Sequence, residues 1–384
     1  MKLVCSQKAL AEGLAIVGRA VPTKSPLPVL SNVLLSTEGD RLKLVGNNLE
    51  MAISAWVIGD VAEQGAVTLP AHLLSDFVAS LSGGDVQMTL RPGTKTMNLK
   101  CGRYEANING VDAEDFPAIQ TVGEGTTCQV SARVLRSAIA QAAFAAATDE
   151  TRPVLSGVLV TLDEDLTLAA ADGFRLAVRT APLLTKPDER LSLLVPARTL
   201  IELARILEDT DEAVEIGATP NHNQIMFEYP AGANSVPVLQ VVSRLIEGQF
   251  PDYQRIIPQG FQTRAVLSVA DFLQAAKTAS VFSRDNSNIV RVSVNPGEGE
   301  LSPGVVEVTS SSAEMGDNVG QLDGSVEGEQ IEIAFNVRYL VQALDAMSER
   351  EVALEITGPT SPGLLKPATG GDHLHAIMPM HVAK

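Results

Sequence analysis

His373 and His375 stand two residues apart with Asp372 beside them, and in a strand their imidazoles would share one face. A protein-bound zinc needs three or four such ligands. No third His or Cys lies near the pair, so we read it as packing rather than as a metal centre. Asp163-Glu164-Asp165 could supply paired carboxylates, but the run falls between two apolar alternations, where a solvated turn explains it. Cys5, Cys101 and Cys128 are odd in number, far apart and without a CxxC pair. They read as small buried apolar residues, neither disulfide framework nor metal site. No GxxxxGK[ST], GxSxG or HExxH motif occurs. No cofactor, metal or catalytic residue is therefore expected, and the chain reads as a binding protein rather than an enzyme.

The elements that carry these residues repeat. LPVLSNVLLS at 27–36 matches RPVLSGVLVT at 152–161, and PAHLLSDFVASL at 70–81 matches PARTLIELARIL at 196–207. LVGNNLEMAI at 44–53 pairs with LAAADGFRLAV at 168–178, and Phe116-Pro117 and Phe250-Pro251 each close one unit. A diverged third copy follows. VVEVTSSSAEMG at 305–316 and FNVRYLVQALDAM at 335–347 take the places of the hairpin and the second helix, and the Gly/Pro-rich 295–304 accounts for the extra length as an enlarged turn. The domains are then 1–124, 125–261 and 262–384.

Within each unit a short strand leads into a helix, then alternating strands, a second helix and more strands. First helices are expected near 7–20, 131–147 and 269–283, and second helices near 71–82, 197–208 and 337–347. Leu74, Phe77, Val78 and Leu81 fall at helical spacing, as do Leu200, Leu203, Ala204 and Leu207. Segments 41–45, 86–90, 166–169 and 330–334 read as short strands bounded by turn residues. The fold class is α+β, three repeated domains each with two helices and antiparallel sheets.

At 384 residues and 45% hydrophobic, the chain has material for several cores. No stretch approaches the ~20 apolar residues of a membrane span. Gln7, Lys8 and Glu12 interrupt what would be the apolar part of a signal peptide, so no membrane partner and a cytoplasmic location are expected. The net charge of −17 repels nucleic acid overall. Positive charge is nevertheless enriched on the helices. Lys8, Arg19, Arg133, Arg136, Arg198, Arg205, Lys277 and Arg338 face Glu12, Asp76, Glu202, Glu208, Asp271 and Asp345, eight cations against six anions. Six equivalent helices on one side of a repeat assembly would make a weakly basic lining on an acidic body, suited to sliding rather than gripping. No base-reading motif is present.

The start (Met1-Lys2 leading to Leu10 and Leu14), LPVLSNVLL, NNLEMAI, DGFRLAV, FPDYQRIIP, FNVRYLVQAL and the near-terminal IMPM, in that order, resemble the bacterial β sliding clamp family across essentially the whole chain. The resemblance implies a DNA clamp fold: a head-to-tail homodimer closing a ring around duplex DNA, held topologically and without sequence preference. It implies loading by a clamp loader and tethering of the replicative polymerase α subunit, with location at the nucleoid during replication. It also implies an apolar pocket for short linear peptide motifs of that polymerase, the loader, other polymerases and repair proteins. Carried over by position, the pocket comprises Leu155, Ala171, Gly173, Phe174, Arg175 and Leu176; then Pro251, Arg255 and Ile256; and then Asn336, Tyr339, Thr360, Pro362, Ile377, Met378, Pro379 and Met380. Adaptable methionines and an aromatic anchor suit such a surface.

The resemblance assigns DNA contact to Lys24, His72, Arg152, Arg198 and Arg205, and the dimer interface to Arg103, Tyr104, Ala106, Val281 and Phe282. The chain departs from the family pattern at Phe174, Thr360, Ser287, Pro153-Val154 and Glu105, and in a tail continuing through His381 to Lys384. A rival reading from another class is a monomeric, repeat-built protein whose pocket takes a small ligand. It requires no ring and no loader.

Overall fold

The computed structural model describes residues 1–25, 27–118, 127–149, 151–219, 221, 223–230, 238–283, 287–297, 304–312 and 316–381. The first third contains β1 (Lys2–Ser6), α1 (Gln7–Val17), β2 (Asn32–Glu38), β3 (Arg41–Asn47), β4 (Met51–Glu63), β5 (Ala66–Pro70), α2 (Ala71–Ser80), β6 (Asp85–Leu90), β7 (Thr96–Cys101) and β8 (Tyr104–Asn109). The middle third contains β9 (Thr127–Ser131), α3 (Ala132–Ala142), β10 (Gly157–Leu162), β11 (Asp165–Ala171), β12 (Arg175–Pro182), β13 (Leu191–Pro196), α4 (Ala197–Ile206), β14 (Ala213–Ala218), β15 (Gln224–Tyr229) and β16 (Val238–Arg244). The last third contains β17 (Thr263–Ser268), α5 (Val269–Phe282), β18 (Ile289–Asn295), β19 (Gly304–Ser312), β20 (Gly316–Gly328), β21 (Ile331–Asn336), α6 (Val337–Asp345), β22 (Glu351–Ile356), β23 (Gly363–Pro367) and β24 (His373–Ile377). Among the described residues each third thus has eight strands and two α-helices, the first helix entered directly from a strand. The expected enlarged turn at 295–304, the boundary near 124 and the tail at 382–384 fall largely or wholly outside the described residues.

The helices stand where the apolar spacing puts them but end earlier. Leu81 and Leu207 are already extended, closing α2 and α4. Residues 18–20 and 143–145 tighten into 3-10 turns after α1 and α3, a common way to satisfy last-turn carbonyls. Ser268 caps α5 and Asn336 caps α6, each accepting from a first-turn amide.

The chain packs into two compact units, which divide the middle third between them: Met1–Arg136, Leu162–Glu164 and Pro182–Leu245 in the first, Ser137–Thr161, Asp165–Ala181 and Ile246–Lys384 in the second. In the first unit an antiparallel sheet runs β8-β7-β6-β1-β4-β16-β15-β14-β9, with β3 also on β4, β2 on β3 and β5 on β2. In the second it runs β10-β11-β12-β24-β23-β22-β17-β20-β19-β18-β21. Each unit therefore carries one sheet from one repeat into the next, through β4–β16 and through β12–β24. Leu10 and Leu14 of α1 and Leu74 and Val78 of α2 are buried in the first unit. Phe272 of α5, Leu340 and Leu344 of α6 and Phe335 of β21 anchor the second. Full burial of such a side chain contributes roughly 1.5–3 kcal/mol.

The residues first weighed for metal or acid–base chemistry sit in the core or in a turn. His373 and His375 lie on β24, both buried, with ring centroids 5.5 Å apart. Burial holds both imidazoles below the ordinary histidine range, His375 at about 3, so both are neutral at pH 7. Asp163 and Glu164 form the turn between β10 and β11 and pair with Arg190 and Lys186. Cys5, Cys101 and Cys128 are free and buried. No helix among the described residues is long and apolar enough to cross a membrane.

Candidate peptide-binding pocket

The β11–β12 hairpin of the second unit turns on Asp172-Gly173-Phe174. Asp172 Oδ1 accepts from the Phe174 and Arg175 amides at 2.9 and 3.1 Å, which folds the turn back on itself. Gly173 sits at φ +91°, where a side chain is strained. A Cβ there would also stand 3.2 Å from the Arg152 guanidinium. The turn leaves Phe174 56% exposed at the rim. Its carbonyl accepts from the Met378 amide at 2.8 Å, so the chain leaving β24 is tied to the hairpin and Met378, 38% exposed, forms the second lip.

Arg175 holds the base. Its Nε donates to Asp172 Oδ2 at 3.0 Å, one Nη to the Phe144 carbonyl at 2.7 Å and the other to Gln342 Oε1. The guanidinium also lies 4.6 Å from the Tyr339 ring centroid and 5.2 Å from that of Phe144. A charge so paired is fixed in place and is poorly available to a ligand. Burial, with Asp172 adding to it, pushes the Tyr339 hydroxyl above its ordinary range, so it stays protonated as a donor at pH 7.

A cleft and a seam flank this arginine. The cleft, of about 430 Å³, is lined by residues 146–149 together with Arg152, Asp172, Phe174, Arg175, Arg338, Tyr339 and Gln342. The narrow seam, too tight to hold a water, runs between Phe144, Ala145, Arg175, Leu176, Tyr339, Ala343 and the β24 residues His375, Ala376 and Ile377. Of the residues expected from the sequence, Phe174, Arg175 and Tyr339 line the first, and Arg175, Leu176, Tyr339 and Ile377 the second. Ala171 and Leu176 form a small buried cluster beneath the hairpin with Ala376 and Leu364. Leu155 is half-buried, and its carbonyl accepts from Ala147. Met380 is tied by its amide to the Ala334 carbonyl.

Pro251, Arg255, Ile256 and Thr360 are exposed, Pro362 and Pro379 half-exposed, and none of the six lines the cleft or the seam. Arg255 pairs with Asp252 at 2.8 Å. Asn336 spends its side-chain oxygen capping α6. The sequence missed Phe144, Arg338, Gln342 and His375. Gln342 could have been found as the i+3 neighbour of Tyr339, and Arg338 as the i−4 neighbour of Gln342 on the same helix. Phe144 and His375 carried no local signal.

The cations assigned to DNA are all exposed. Lys24, His72 and Arg198 form no ion pair among the described residues, whereas Arg205 pairs with Glu202 at 2.6 Å and Arg152 stands in the larger cleft. His72 and Arg198 hold equivalent positions, each second in its helix. At the expected dimer interface Tyr104 is 60% and Val281 44% exposed, and Arg103 is exposed too. Ala106 and Phe282 are half-buried. Glu105 is satisfied within its own sheet, by Asn98 at 2.7 Å and Lys100 at 3.4 Å.

A chain of three like repeats, whose sheets continue from one repeat to the next and whose exposed features are rims and edges, falls in the class of clamp-type binding scaffolds. Family models of the DNA polymerase III beta subunit match it throughout: the N-terminal domain over residues 1–120, the central domain over 129–252 and the C-terminal domain over 254–381. The beta sliding clamps of Synechocystis sp. and Synechococcus elongatus are 30% and 31% identical to it, with all of both chains covered. The crystal structure of the Bacillus subtilis DNA polymerase sliding clamp superposes with a TM-score of 0.92 at 28% identity, again over all of both chains. A Pseudomonas aeruginosa sliding clamp bound to griselimycin superposes at 0.90 and 28%. The chain belongs to the DNA polymerase III beta subunit family, the beta sliding clamps. It is by family a non-catalytic processivity subunit, and the small-ligand reading finds no support in these matches.

Proposed function

We propose that two copies of this chain close head to tail into a ring around duplex DNA, with domains 1–124, 125–261 and 262–384 in each copy. Two unpaired sheet edges support this most directly. Among the described residues β8 pairs only with β7, and residues 316–324 of β20 pair only with β19. Unpaired edges invite aggregation, and a heterologous contact that joins unlike edges removes both when the ring closes. Tyr104 on β8 and Val281 near the end of α5 supply exposed apolar surface for that contact, with Arg103, Ala106 and Phe282 beside them.

Lys24, His72, Arg152, Arg198 and Arg205 then face the enclosed duplex, where a weak field permits sliding. The rim of Phe174 and Met378, with Leu155 behind it, takes short apolar peptides. These come from the replicative polymerase α subunit, a clamp loader, other polymerases and repair proteins. The protein works in the cytoplasm, at the nucleoid during replication. Negative-stain microscopy with light scattering tests the ring. A closed six-lobed particle at twice the 40.6 kDa chain mass is expected. Compact monomers at every concentration would overturn the reading.

A further inference from the structure

The β3–β4 hairpin of the first unit repeats the geometry of the pocket hairpin step by step. Asn48 Oδ1 accepts from the Glu50 and Met51 amides at 3.0 and 2.7 Å, as Asp172 does from Phe174 and Arg175. Leu49 takes φ +74° where Gly173 takes +91°. The Arg244 amide donates to the Glu50 carbonyl at 2.9 Å, as that of Met378 donates to Phe174. Arg244 lies opposite Gln224 across the β15–β16 pair. Glu50 thus takes the place of Phe174 and Arg244 that of Met378. By repeat position Pro117 corresponds to Pro251, each following the Phe that closes its unit.

A shallow, open cleft of about 80 Å³ lies there, lined by Glu50, Pro117, Gln224 and Arg244 with Leu49 and Met51 among others. Three observations point to an occupant. Gln224 Oε1 is buried and has no hydrogen-bond partner among the described residues, an acceptor open to a donor. Glu50 and Arg244 are exposed, and neither side chain forms an ion pair among the described residues, so both charges are open to an incoming group. Leu49, 38% exposed, is held in a left-handed conformation that disfavours its side chain, a strain that persists only where the surroundings impose it.

We propose that this cleft is a second peptide-docking site, the polar counterpart of the apolar pocket. Its occupant is a short linear segment of a protein partner in which an aliphatic side chain is flanked by one acidic and one basic residue. The aliphatic group rests on Leu49, the carboxylate meets Arg244, the cation meets Glu50, and a backbone N–H of the segment donates to Gln224 Oε1. The site lies wholly within the first unit and does not depend on ring closure.

Methyl NMR of the full chain labelled at methionine tests this, because Met51 reports on this cleft and Met378 on the apolar pocket. The probes are two synthetic peptides, acetyl-Asp-Leu-Arg-amide and acetyl-Leu-Leu-Phe-amide. The charged peptide is expected to shift Met51 at millimolar concentration and leave Met378 in place. Glu50→Gln with Arg244→Gln removes both charges while leaving polar side chains at these exposed positions, and is expected to weaken that response roughly tenfold or more. An unmoved Met51, a response undiminished in the double variant, or charged peptide registering only at Met378 would each overturn the proposal. Binding of the apolar peptide at Met378 is read from the same spectra, so failure of one site is distinguished from failure of the other.

Discussion

His375 lies in the core with neither ring nitrogen partnered, its ring against Phe144 at 5.5 Å. A proton there has no acceptor or counter-charge, and desolvation, then His373 and Arg175, hold its pKa near 3. The unfolded chain titrates at about 6.5 and so binds this proton first as the pH falls. The resulting stability is complete above about 6.5 and is lost as pH drops toward 3, by about 1.4 kcal/mol per unit. Urea titrations should therefore show the wild type losing about 2 kcal/mol more than His375→Leu between pH 6.5 and 5. Equal losses in the two proteins would show that this proton is not linked to folding. At the pocket rim, Met378→Ala with Leu155→Ala should weaken an apolar peptide at least roughly tenfold while leaving the oligomeric state unchanged. Fluorescence anisotropy and light scattering read the two effects separately, and unchanged affinity would remove these residues from the pocket.

At the level of elements, the second unit depends on close approach between β23 and the core. Gly363 pairs with Ile377 across β23–β24, and a Cβ there would come within 2.4 Å of the Phe335 ring, itself 1% exposed. The ring cannot retreat through a packed core, so Gly363→Ala should lower stability by about 1–3 kcal/mol in urea denaturation. A variant as stable as wild type would mean that β23 shifts freely. The hairpin turns show the same economy of design twice. One Asx turn with one left-handed residue serves both junctions, and the rim side chains alone set their chemistry.

Across the whole molecule, much of the positive charge on the helices is already paired. Lys8 meets Glu12 at 3.8 Å, Arg19 meets Glu202 at 3.1 Å, Arg133 meets Asp209 at 2.7 Å and Lys277 meets Asp345 at 2.9 Å. With a net charge of −17, the chain should bind short linear duplex no more tightly than the non-specific range, roughly 10⁻⁴–10⁻⁶ M, and less as salt rises. Anisotropy with a labelled linear duplex checks this. Tight, salt-resistant binding would contradict retention by linkage.

Triplication, the six helices and the α+β class were legible in the sequence because they rest on periodicity, which is local and repeats. Leu74 and Val78 on α2, and Leu200 and Leu203 on α4, are buried as their spacing requires. Phe174 and Met378 were named from segments whose order marks the family, and a hydrogen bond joins them. What lies behind them was not legible. Arg175 is locked by Phe144, Asp172, Tyr339 and Gln342, which come from three stretches of chain far apart in sequence. His375 becomes an unpartnered core residue only once β24 is covered, and Asn336 is revealed as a helix cap. The polar cleft at Glu50 and Arg244 emerges only from the antiparallel pairing of β4 with β16, strands nearly two hundred residues apart. Local pattern determines which elements form. Side-chain chemistry at a junction depends on which distant strands become neighbours, and that only the tertiary structure decided.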